Sequence, residues 1–289
     1  MSLDLLYPAL VSGILLGCFY GAVSVGLSVA FGLVDVPHIA HPTFLVLGGY
    51  GAYVLGNYGV DPIVAGLVLM PVFYVLGLLV YQFYYTTFDK HGTDKELRGL
   101  AFFFGFSFVL EAILILTFGV DQYMVEAPYI GGSVEVGETR LPYRMLVAGA
   151  IGLTLTAALT LYFSRTFTGR ALKAVAQDAG ALVLVGADPV RIKRMGFAIA
   201  TGITAIAGAL LVVTGPIEPG LGRLYIGRTF CIVVLAGLGS MPGTLVAAII
   251  VGVVESIVLS SFGASWAGAV SFGMLLLVLA IRPTGLFGR

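Results

Sequence analysis

Between Pro8 and Ile281 the chain is a succession of apolar runs, most of them close to the roughly 20 residues needed to cross a lipid hydrocarbon core. Nothing else in the sequence limits the fold so strongly. Inside hydrocarbon every backbone N–H and C=O must find its partner within the protein, and a run of this length does so as a helix. Charged residues make up only 10% of the chain, against about 25% in soluble domains, and the mean hydropathy is +1.04. The expectation is an all-α, polytopic membrane bundle of about eight to ten helices, with residues 1–289 forming one transmembrane domain. Glycine supplies 40 of the 289 residues, and within apolar runs it favours close helix packing. Gly13, Gly17 and Gly21 form one small-residue ladder, Gly48, Ala52 and Gly56 another, and Ala248, Gly252 and Ser256 a third.

Taken in order, the first span runs from about Pro8 to Leu33 and ends in VDVPHIAHP, which holds Asp35, His38 and His41. The N-terminus lacks a positive region ahead of its apolar run, so that run reads as a retained span. Thr43 to Gly56 is short for a full crossing. With the preceding interruption it suggests a broken or re-entrant segment near 35–45, tolerated only where protein or a cavity surrounds the irregular backbone. Further spans are expected at Pro62 to Tyr85, Leu100 to Gly119, Tyr143 to Phe163, Phe197 to Gly215, Thr244 to Leu259 and Trp266 to Ile281. A short run from Thr229 to Leu238 precedes a second break, GLGSMPG, at 237–243. The loop from Asp121 to Pro142 reads as an outer turn or hairpin carrying Glu126, Glu135 and Glu138. PIEPGLGRLYIGR reads as a second outer loop with Glu218, Arg223 and Arg228.

Orientation follows from one polar interval, Ser164 to Gly196. It contains Arg165, Arg170, Lys173, Arg191, Lys193 and Arg194 against only Asp178 and Asp188, which places it on the cytoplasmic side. Arg282 and Arg289 put the C-terminus on the same side. Within the interval Leu172, Val175, Ala176, Ala179, Leu182 and Val183 recur at helical spacing. The pattern fits one short amphipathic helix, or two broken at Gly180. Asp188 is placed to cap a new helix with Pro189 at its first position. The interval is either a surface helix lying on the membrane or a docking element for a soluble partner.

Several functions are excluded. Net charge is zero without a basic stripe, which argues against nucleic acid. Cys18 and Cys231 lie in apolar segments and offer neither a disulfide framework nor a metal spacing. GxSxG, HExxH and Walker A patterns are missing, so enzyme chemistry is not expected and any use of nucleotide needs another chain. The ionisable residues inside apolar runs are Glu111 and Glu255, which serve either a translocation path or as polar contacts between helices. His41, in the first break, either holds the break together or touches a solute.

GRALKAVAQDAGALVLVGADPVRIKRMGFAIATGITAIAGALL, VLAGLGSMPGTLVAAIIVGVVES and LLVLAIRPTGLFGR resemble, in order, the permease family of bacterial and archaeal ABC importers for branched-chain amino acids. VDVPHIAHPTFLVLGGYGAY is similar to that family's asparagine-phenylalanine-alanine-histidine-glycine motif, with Ala40 and His41 matching, Ile39 in place of phenylalanine and Pro42 in place of glycine. The resemblance implies a multi-pass subunit of the cell membrane that works with a second permease (a related chain, or a second copy as a homodimer). Two cytoplasmic ABC ATPases would bind the ATP and magnesium, this chain holding no cofactor, and an extracytoplasmic binding protein would deliver substrate. It also implies that Gly169, Arg170, Leu172, Lys173, Val175, Gln177, Asp178, Ala179, Leu182, Val183 and Gly186 form the coupling segment on the ATPase. His41, Glu111, Gly239, Ser240 and Glu255 are candidates for the path. Glu126, Glu135, Glu138, Glu218, Arg223 and Arg228 are candidates for docking the binding protein. Branched-chain or other small amino acids are the expected cargo, with urea, amides or another small polar solute as the alternative. A stand-alone secondary transporter or channel is the rival class.

Overall fold

The computed structural model describes residues 3–89, 95–136, 139–282 and 284–288. Two helices form its centre, α1 (Leu3–Gly32) and α8 (Pro189–Thr214), and they touch each other. Helices α2 (His41–Gly56) and α3 (Pro62–Tyr84) pack on α8, while α5 (Tyr143–Arg165) and α10 (Met241–Phe262) pack on α1. Helix α9 (Leu221–Ala236) lies against α1, α2, α10 and α11 (Ala264–Ile281), and α4 (Lys95–Phe118) against α2. Tyr85–Asp89 extend α3 by a π-helical turn.

Among the described residues six helices are long and apolar enough to cross a membrane: α1, α3, α4, α5, α8 and α10. Among the shorter helices the apolar one is α11, over Ser265–Ile281. Helices α2 and α9 have 16 residues each, a rise of about 24 Å against a core of about 30 Å. Both broken segments are shorter than the sequence suggests. The first ends at Ala40 and the second at Ser240, because Pro42 and Pro242 sit in the first turn of α2 and α10, where a proline starts a helix instead of interrupting it.

The small-residue ladders set the closest packing. A Cβ placed on Gly252 of α10 would lie 2.5 Å from the Gly17 nitrogen and 2.6 Å from the Gly13 oxygen, so two of the ladders pack on each other, backbone to backbone. The α2 ladder packs on α8 in the same manner: a Cβ on Gly48 would fall 2.7 Å from the Thr204 oxygen.

At one end of the bundle β1 (Ser133–Val136) and β2 (Thr139–Pro142) form an antiparallel hairpin, as the loop sequence suggests. Residues 137–138, and with them Glu138, lie outside the described residues. Tyr123 and Ile217 exchange two backbone hydrogen bonds of 2.9 Å, tying the hairpin loop to the segment ahead of α9. That segment is shorter than expected. Arg223 and Arg228 belong to helix α9 and not to a loop, because each is neutralised by a glutamate of a neighbouring helix.

The interface of α1 and α10 gives a direct check. Gly252→Leu drives a branched side chain into the α1 backbone and destabilises the fold by more than the roughly 1–3 kcal/mol typical of overpacking. Gly105→Leu, at a helical glycine with nothing within 4 Å of its would-be Cβ, does not lower stability, since helix propensity favours leucine. Thermal unfolding of the detergent-solubilised protein should separate the two; equal midpoints would contradict the packing.

Candidate functional site

Among the described residues three polar constructions interrupt the apolar bundle. The first is the basic elbow between α5 and α8. Helix α6 (Phe167–Gln177) begins at Thr166, whose Oγ1 accepts from the Gly169 N–H at 3.1 Å. Gly169 is pressed against the Phe163 backbone, which folds α6 back onto the end of α5. The break between α6 and α7 (Ala179–Leu184) falls at Asp178 and not at Gly180. Asp178 Oδ1 accepts from the N–H groups of Gly180 and Ala181 at 2.9 and 3.0 Å, and this cap makes Gly180 an ordinary first-turn residue. Asp188 caps α8 from Val190 and Arg191 with Pro189 in its first turn, as the sequence indicates.

The break divides the expected apolar face. Leu172 and Val175 are buried against the bundle, Ala179 and Leu182 are half-buried, and Val183 faces out. Leu172 and Val34 both pack on Gly196: a Cβ there would lie 2.7 Å from the Leu172 methyls and 3.0 Å from Val34 Cγ2. Leu172 therefore keys the elbow to α8 and to the first break together. On its outer side the elbow leaves Phe167, Val183, Leu184 and Val185 exposed, Leu184 by 89%. Arg170, Lys173, Gln177, Asp178 and Gly186 are exposed beside them.

The second construction joins the two breaks. Gly32, the last residue of α1, touches the backbone of Gly239, which stands at φ 82° and has φ 88° Gly237 two residues before it. Such φ values favour glycine. Ser240 Oγ caps α10 from the Gly243 N–H at 3.3 Å, and Thr244 Oγ1 bonds Ser28 Oγ at 3.0 Å. The tail closes over the junction: Leu286 N–H donates to Leu235 O at 2.8 Å and Phe287 N–H to Ala236 O at 3.1 Å, satisfying final carbonyls of α9. His41 is buried, with Nε2 2.9 Å from the Val23 carbonyl and its ring against Gly26, so it fastens α2 to α1. His38 is buried among the rings of Phe44, Phe103 and Phe197, at centroid distances of 5.3, 4.9 and 4.6 Å.

The third is a pair of ion pairs along α9. Arg228 donates from Nη2 to Glu255 Oε1 at 2.6 Å and from Nε to Oε2 at 3.3 Å, and Tyr20 donates to the same Oε2 at 3.1 Å. The Arg228 guanidinium lies 5.7 and 5.4 Å from the ring centroids of Tyr20 and Tyr225. This pair is enclosed, with side-chain exposures of 19% and 5%. Arg223 binds Glu111 of α4 through Nε, at 3.1 Å from Oε2, and through Nη2 to Oε1; its own side chain is 62% exposed. Of the residues expected at the hairpin end, Glu126 is exposed, Glu135 pairs with Arg140 directly across the hairpin at 2.8 Å, and Glu218 accepts from Gln122 at 3.2 Å.

The α9 arginines, the tail and the Leu172 key are features that hydropathy does not reveal. A signal for one of the arginines was present: intramembrane glutamates require compensating charges, and Arg228 stands 27 positions from Glu255, whereas Arg223 stands 112 from Glu111. The pairs differ in enclosure, and that difference is measurable. Glu255→Ala, leaving a buried guanidinium unpaired, costs about 3–5 kcal/mol, whereas Glu111→Ala costs about 1 kcal/mol or less because Arg223 reaches solvent. Denaturant titration of the two variants should rank them in that order; the reverse order would overturn the assignment.

The family model described as branched-chain amino acid transport system / permease component matches residues 9–279. The chain is 28% identical, over 97% of its length and 95% of the relative's, to the high-affinity branched-chain amino acid transport system permease protein BraD of Pseudomonas aeruginosa. It is 26% identical to the LivH permease of the corresponding system of Escherichia coli K12, over 96% of this chain and 94% of that one. It is 22% identical to the probable branched-chain amino acid transport permease protein LivH of Methanocaldococcus jannaschii, over 92% and 87%. No solved structure matches the chain. Matched over residues 9–279 of its 289, the chain belongs to the family of branched-chain amino acid transport system permease components.

Proposed function

We propose that the chain is the membrane permease of an ATP-driven importer whose cargo is branched-chain amino acids, coupled to its ATPases through the 164–196 elbow. The observation that carries this reading is the two-sided build of the elbow. One side is keyed by Leu172 into Gly196 and Val34, beside the first break, and the other presents Phe167, Val183, Leu184 and Val185 to the surroundings among polar and charged residues. Exposed apolar side chains rimmed by polar ones mark an interaction surface. A rigid element that contacts a partner outside and a broken backbone inside can carry a displacement from one to the other.

In this reading the elbow and the C-terminal tail face the cytoplasm, as the excess of arginine and lysine requires. The opposite end, with the hairpin, Glu126 and Glu218, receives the binding protein. Two ATPases dock on the elbows of two permease subunits, and their closure displaces α6 and α7. Leu172 passes the motion to α8 and to residues 33–40, which lie on the 237–240 break through Gly32 and Gly239. A stand-alone proton-coupled carrier would need Glu111, Glu255 or His41 to exchange protons along a path. The two glutamates are held by arginines and His41 Nε2 stands against a backbone carbonyl, which counts against that class.

Replacing the apolar tip tests the coupling. Leu184→Asp is expected to leave membrane insertion and thermal stability unchanged, because the side chain is exposed, while lowering leucine-stimulated ATP hydrolysis of the reconstituted importer by about tenfold or more, the loss of one interface hot spot. Charge reversal at Lys173 and Asp178 should act in the same direction. Stimulated hydrolysis at the wild-type rate in these variants would sink the assignment, and an importer that takes up no branched-chain amino acid would sink the cargo.

A further inference from the structure

Between them helices α9 and α11 form an open-sided cavity of about 480 Å³, within the roughly 300–1,000 Å³ usual for small-molecule sites. Arg223 and Arg228 line it from α9, and Ser265, Ser271 and Phe272 from α11. Phe272 forms one wall because Gly227 has no side chain: a Cβ there would lie 2.5 Å from the Phe272 ring. Leu224 and the small residues Gly268 and Ala269 complete an apolar side. Ser271 is the residue that asks for an explanation. It is 1% exposed, it lines the cavity, and its hydroxyl has no hydrogen-bond partner. A buried unpaired hydroxyl costs stability unless something else satisfies it.

The arginines carry spare donors into the same space. Each guanidinium has five N–H groups, and both Glu pairs engage only the Nε and Nη2 atoms. The side chains of the two pairs sum to zero charge, Arg223 and Arg228 against Glu111 and Glu255. A bare anion entering this space would leave an uncompensated charge beside the enclosed Arg228–Glu255 pair, and a bare cation would meet two guanidinium groups. A zwitterion brings its own countercharge and adds none.

We infer that the α9–α11 cavity is a cargo site in the permease itself, in which the carboxylate of a zwitterionic α-amino acid takes hydrogen bonds from Ser271 Oγ and the Nη1 edge of Arg228. Arg223 stands at the mouth, and the cargo side chain lies against Leu224 and Phe272. The proposal rests on the importer reading above and adds to it the site and the group recognised. A lipid headgroup carrying an amine and a phosphate has the same zwitterionic chemistry, so the test must separate the two sources.

The experiment is thermal unfolding of the purified permease assembly in nanodiscs, titrated with L-leucine, with 4-methylpentanoate (the carboxylate without the amine) and with isoamylamine (the amine without the carboxylate). Wild-type protein should be stabilised by leucine alone, and equally in phosphatidylglycerol and phosphatidylethanolamine. Ser271→Ala should unfold no lower than wild type without ligand, since it deletes an unpaired polar group, yet need about tenfold more leucine for the same shift. Arg228→Lys, which keeps the charge and loses the fork, should weaken the response at least as much. The inference is overturned by an unaltered leucine response in Ser271→Ala, by equal stabilisation with 4-methylpentanoate, or by a response that phosphatidylethanolamine abolishes. Leucine uptake by the complete wild-type importer reads the two ideas apart: uptake that persists at the wild-type rate in Ser271→Ala removes this site only, and no uptake by wild type removes the importer reading.

Discussion

Irregular backbone cannot stand in hydrocarbon unless protein satisfies it, and this bundle meets that requirement by stacking its two interruptions on each other. Gly32 ends α1 against Gly239, and the tail brings the N–H groups of Leu286 and Phe287 to the last carbonyls of α9. Both breaks and the tail thus form one non-helical layer at the elbow end of the bundle. The layer needs glycine at 32 and 239 because a side chain at either would enter the other strand of backbone. It also explains the short helices. Helix α2 starts inside this layer and α9 ends in it, so neither has to span the whole hydrocarbon thickness alone.

The central helices were legible in the sequence because hydropathy and small-residue spacing report what lipid and close packing demand. The Asp188–Pro189 start of α8 was equally plain, since a cap and a first-turn proline are local chemistry. Two departures from the sequence pattern have local causes. Gly180 looks like a helix breaker, but Asp178 stands two residues earlier with a carboxylate able to take two N–H groups, and the cap decides where α7 begins. The proline-glycine stretches at 42 and 242 look like interruptions, yet each proline occupies a first turn.

Other features depend on contacts that no local pattern encodes. In sequence α9 looks like half loop because two arginines interrupt its apolar run, and only their placement opposite Glu111 and Glu255 accounts for them within a helix. The last residues gave no sign that they would close the second break. The elbow's role as a surface segment was visible in its charge and amphipathic spacing, whereas the socket formed for Leu172 by Val34 and Gly196 joins residues more than a hundred positions apart.

Helix α9 links these constructions mechanically. Its two arginines are fixed on one rigid element while their partners belong to α4 and α10, so a shift of α9 along its axis stretches both ion pairs together. Stretching the enclosed Arg228–Glu255 pair costs most, because its charges have little water to turn to. A cargo carboxylate beside Arg228 would supply a replacement acceptor and reduce that cost, while its own amine keeps the added charge at zero. The C-terminal end of α9 lies in the same layer as the two breaks, and the elbow reaches that layer through Val34. On the proposed reading, occupancy of the α9–α11 cavity and displacement of the elbow would act on the same helix from its middle and from its end, which is the form of coupling an importer needs if an empty site is to resist the motion that a filled one permits.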